Sequence, residues 1–119
     1  MNEIVKKIEK QYPECTFELV ENFDKAYELF CRKQNDYGDS NIRLGLDLNS
    51  SSPECPQNNR LAQLGVVIRM NDKVSRLINL YKKDIVDTSA VNESVYDTSY
   101  DVMNYANILI TLKKGKWGK

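Results

Sequence analysis

The segment Glu93-Ser-Val-Tyr-Asp97-Thr-Ser-Tyr-Asp101-Val-Met-Asn104 sets three carboxylates at i, i+4 and i+8. On a helix turning about 100° per residue, these and Asn104 share an arc of roughly 80°. Like charges one turn apart weaken a helix, so the spacing raises the question of which cation offsets them. Three answers are open. Glu93, Asp97 and Asp101 supply oxygen ligands to Mg²⁺ or Mn²⁺, which keeps several waters and completes its shell with a substrate phosphate. Alternatively they pair with arginine, or they form the solvated acidic face of an ordinary two-sided helix.

A second set is Arg69, Asp72, Lys73, Arg76 and Asn79. At helical spacing Arg69, Asp72, Arg76 and Asn79 form one stripe, in which Asp72 and Arg76 make a routine i,i+4 pair. Either this stripe is solvated, or its cations face the acidic stripe across a pocket or subunit contact and hold phosphate or carboxylate oxygens. Lys33 adds a further cation for a phosphate. Tyr37 is an end-packing aromatic or a surface on which a base stacks.

Histidine is absent from the chain, which removes the commonest general base, the commonest zinc ligand and every Ser-His or Cys-His pair. Lys plus Arg (17) equals Asp plus Glu (17), so no net field draws the protein to nucleic acid or anionic lipid. Direct nucleic-acid binding is not expected. Cys15, Cys31 and Cys55 are scattered and odd in number, which suits a reducing cytoplasm better than a disulfide framework or zinc site. No apolar run approaches the ~18 residues of a membrane span, and a cytoplasmic location is expected.

The elements that must position these residues read as helices. Residues 3–11 form a short amphipathic helix stopped near Pro13. A second helix starts between Thr16 and Asn22 and runs to Tyr37, with Gly38 as its C-terminal cap. Its apolar stripe is Phe23, Tyr27, Phe30 and Tyr37. Residues 38–57, with their Gly, Pro and Ser, read as a long loop, either a functional lid or a disordered connection. A third helix over 58–82 takes Leu64, Val67, Ile68, Val74, Leu77, Ile78 and Tyr81 as its core face, and its Gly65 marks a close contact. After a polar turn around Asp87, Thr88 and Ser89, a fourth helix spans 91–113. The basic tail 113–119, with Trp117, reads as frayed. The expectation is one all-α domain over 1–119, a bundle of three long helices plus a short N-terminal helix.

Three blocks in one order carry a resemblance: Lys33-x-x-x-Tyr37-Gly38, Arg69-Met-x-Asp72-Lys73-x-x-Arg76-Leu77, and Glu93-Ser-x-x-Asp97-Thr-x-x-Asp101-x-x-Asn104-Tyr105-Ala106. Over roughly residues 22–112 the chain resembles the first nucleotide modification associated domain family of phages and bacteria. The last block also looks like a distant version of the MazG-like all-α nucleoside triphosphate pyrophosphohydrolases, in which a helix bearing Glu-x-x-Asp binds magnesium. Asp101 falls at the aspartate of that motif. Thr98 stands where its glutamate would be, leaving Asp97 to substitute, and the paired Glu-Glu-x-x-Glu of the preceding MazG helix is absent.

The resemblance implies a MazG-like bundle and a nucleotide-handling protein, in the host cytoplasm if phage-encoded. Its activity would be Mg²⁺-dependent pyrophosphohydrolysis of a (deoxy)nucleoside triphosphate. Asp72, Glu93, Asp97 and Asp101 would hold the metal, and Glu93 would take the proton from its water. Lys33, Arg69, Lys73 and Arg76 would neutralise phosphates, with Tyr37 and Asn104 against the ligand. The alternative is a non-catalytic nucleotide-binding or accessory module linked to nucleotide modification, its carboxylates paired with basic side chains. Assembly into homo-dimers or tetramers is expected, as family analogues oligomerise.

Overall fold

A computed structural model describes residues 3–12, 16–84 and 91–118, apart from the side chains at positions 4, 16, 17, 84 and 91–93. The order is α1 (Glu3–Gln11), α2 (Thr16–Tyr37), α3 (Cys55–Asp84) and α4 (Val91–Lys113). The described elements are all helices, and the protein is an all-α bundle. The stop at Pro13, the turn around Asp87 and the side chain of Glu93 lie outside the described set.

Local chemistry sets the helix ends. Gly38 adopts φ 70°, and its N–H donates to Gln34 O at 2.8 Å, closing α2 with the left-handed cap that glycine tolerates best. The third helix begins at Cys55, earlier than the sequence pattern indicates. Pro56 is no obstacle there, because a first-turn residue has no intrahelical acceptor for its N–H. At the end of α4, Gly115 N–H donates to Leu112 O (2.9 Å) and Lys116 N–H to Thr111 O (3.0 Å). With Gly115 at φ 68°, this is a Schellman cap, and it folds the tail back over the bundle.

Helix α4 is the hub, packed along α3 on one side and against α2 on another. The core consists of Ile42, Ala62, Val66, Ile108 and Leu112, with Phe30, Leu48, Met70, Tyr105, Leu109 and Trp117 packed around it. Asn59 Nδ2 donates to Leu112 O at 3.0 Å, a further tie between α3 and α4.

Three expectations from the sequence are narrowed or corrected. Segment 38–54 is a loop as expected but not a disordered connection, since Ile42 is buried, Asn58 Nδ2 donates to Asp47 O (2.8 Å) and Leu44 rests on Gly65. The tail is not frayed at Trp117, whose indole stacks edge-on against Phe30 and donates to Asp39 O at 3.1 Å. Most consequentially, α3 packs on α4 through Ala62 and Val66. The large residues of its expected core face, Leu64, Val67, Ile68, Val74, Ile78 and Tyr81, are exposed. Small side chains let two helices approach closely, so the packed face is the one with less apolar volume. Among the described residues no helix is long and apolar enough to cross a membrane.

Candidate functional site

Two helices present the same spacing to one space. From α2 come Phe30, Lys33, Gln34 and Tyr37, and from α4 come Asp101, Asn104, Tyr105 and Ile108. Each set runs i, i+3, i+4, i+7, which places four side chains on one helix face. Helix α3 adds Arg69 and Lys73, one turn apart, while the α2–α3 segment adds Asn41 and Ile42. Together they line a cavity of about 290 Å³.

Its electrostatic centre is Asp101, whose side chain is only 12% exposed. Lys33 Nζ donates to Asp101 Oδ1 at 2.6 Å and Lys73 Nζ approaches Asp101 Oδ2 at 3.1 Å, so each carboxylate oxygen faces its own ammonium group. The two lysines come from different helices, and the carboxylate locks α2 and α3 to α4. Arg69 is anchored differently: its Nη2 donates to Asn41 O (3.1 Å) and Asn41 Oδ1 (3.2 Å), which fixes the guanidinium at the rim. Three cations and one carboxylate leave the lining with two positive charges in excess.

Six sequence candidates therefore line one cavity: Lys33, Tyr37, Arg69, Lys73, Asp101 and Asn104. Asp72, Arg76 and Asp97 are exposed and outside its lining. The acidic stripe does not behave as a unit, because Thr98 is buried and Asp101 turns inward while Asp97, one turn earlier, faces out. Phe30, Gln34, Asn41, Ile42, Tyr105 and Ile108 complete the lining and were not singled out as site residues. The shared spacing on α2 and α4 was the available signal for four of them, whereas Asn41 and Ile42 sit in irregular chain with no periodicity to read.

Among the described residues, which leave out the side chain of Glu93, the donor set does not fit the expected carboxylate-held divalent cation. Among the described residues no three Asp, Glu or Cys side chains converge, and Asp101 gives both oxygens to lysines. A hard cation would compete there with two ammonium groups for the same lone pairs. What the lining offers instead is ammonium and guanidinium donors, three side-chain amides and three aromatic rings around a small space. The chain matches no family model, no curated protein and no solved structure.

Proposed function

We propose that this cavity binds a nucleotide directly through its basic side chains, as a binding or accessory module rather than a metal-dependent hydrolase. The observation that carries the reading is the convergence of Lys33, Lys73 and Arg69 beside the rings of Phe30, Tyr37 and Tyr105. Cations suit phosphate oxygens, aromatic faces suit a base, and the amides of Gln34, Asn41 and Asn104 suit its polar edge. The volume sits at the lower limit of the ~300–1,000 Å³ typical of small-molecule sites. A mononucleotide is the matching size.

In this arrangement Asp101 acts as a placeholder. It keeps Lys33 and Lys73 close together, and an arriving phosphate competes for the same ammonium groups. The test is calorimetric titration with nucleoside mono- and triphosphates, with and without Mg²⁺. Binding is expected without metal. Lys73→Ala or Arg69→Ala should each cost about 1.4 kcal/mol, a tenfold loss of affinity. Asp101→Asn should tighten binding severalfold, because it frees two cations. If binding instead requires Mg²⁺, Asp101→Asn abolishes it and pyrophosphate is released from triphosphates, the hydrolase reading replaces this one.

A further inference from the structure

The exposed side of α3 is apolar over most of its length. Leu61, Leu64, Ile68, Val74, Ile78 and Tyr81 are each between 42% and 58% exposed. At helical spacing they occupy an arc of roughly 160° and a stripe about 30 Å long. The four charged residues within 61–81 (Arg69, Asp72, Lys73 and Arg76) all fall outside that arc, grouped within roughly 100°. A solvated helix face does not sort its residues this way.

These six side chains are also placed symmetrically along the helix. Counting outward from Asn71, Ile68 mirrors Val74, Leu64 mirrors Ile78 and Leu61 mirrors Tyr81. A two-fold interface requires that if residue i meets residue j of the partner, j meets i. Two antiparallel copies of α3 crossing at Asn71 satisfy that condition with apolar residues at these three mirrored pairs, while Val67, exposed on the same arc, mirrors Ser75. Asn71 then faces its own copy, where an amide pair fixes register as a lone buried asparagine does in a coiled coil.

We infer that α3 is a homodimer interface, pairing antiparallel with a second copy of this chain about a two-fold axis at Asn71. The six side chains expose on the order of 600 Å² per copy, close to the ~800 Å² per partner of a standard interface and at the upper end of patches left on monomers. The single chain has a radius of gyration of 17.2 Å and extents of 50 × 41 × 22 Å, against about 13.5 Å for a compact domain of this length. Such a flat chain leaves its longest helix half uncovered. Arg60 and Lys82 bracket the stripe, and their flexible stems let both charges splay into water. The inference is independent of what the cavity binds.

Analytical ultracentrifugation of the full chain should show a dimer at micromolar concentration. Ile68→Lys and Val74→Glu, each alone, should shift it to monomer while helical circular dichroism is retained. The double variant Ile68→Lys/Val74→Glu should recover the dimer, because residue 68 of one copy meets residue 74 of the other only in the antiparallel register. Asn71→Cys should give a disulfide-linked dimer under mild oxidation, in a background where Cys15, Cys31 and Cys55 are serine. A wild-type monomer at these concentrations overturns the inference. So does a dimer indifferent to both single substitutions, or one that the double variant fails to rescue.

Discussion

At the scale of single residues, Asp101 joins the fold to the pocket. Its contacts with Lys33 and Lys73 are partly shielded, since those side chains are 48% and 31% exposed. The pairs therefore lie between surface ion pairs worth under ~1 kcal/mol and fully buried ones whose disruption costs several. Asp101→Asn should lower unfolding stability by about 1 kcal/mol in urea titrations, by leaving two lysines facing each other. Millimolar inorganic phosphate should restore part of that loss in the variant and do less for the wild type, because the anion takes the vacated position. If phosphate stabilised the two proteins equally, the lysines would not be its site.

At the scale of elements, the caps decide where the chain turns. Gly115→Ala should cost about 1 kcal/mol through its left-handed φ of 68°, since nothing lies within 4 Å of the added methyl. Gly38→Ala, at φ 70° and with the same open surroundings, should cost about as much. Only the first should also expose Trp117, which limited chymotrypsin cleavage would report. Gly38 was legible as a cap because it follows an apolar stripe, whereas Gly115 in a Lys-rich tail resembled a frayed end. The helices themselves were legible from periodicity, and α1 and α4 have the bounds it gave. Periodicity could not tell which apolar face of α3 meets its own chain, because Ala62 and Val66 are less conspicuous than Leu64, Ile68 and Ile78. The candidate site was legible in its charged members, since Lys33, Arg69, Lys73 and Asp101 occur at helical spacing. It was illegible where rotation decides, as with Asp97 against Asp101, and where irregular chain supplies Asn41.

At the scale of the whole molecule, the chain is a plate whose small core sits on one side of α3. Six buried apolar residues are few among the described residues, and stability drawn from association depends on protein concentration. The melting temperature should accordingly rise when the wild type is concentrated from about 1 to 100 µM, and remain constant for Ile68→Lys. Differential scanning calorimetry at two concentrations measures this, and a constant wild-type value would place the stability within the single chain.

Trp117 is the one tryptophan of the chain. Its indole stands edge-on to Phe30 with ring centroids 6.3 Å apart, and Phe30 also lines the cavity. The protein thus carries its own fluorophore one ring from its pocket. Emission excited at the red edge of the absorption band, where tyrosine contributes nothing, reads the occupancy of the cavity and the integrity of the α4 cap from a single atom group, without a label.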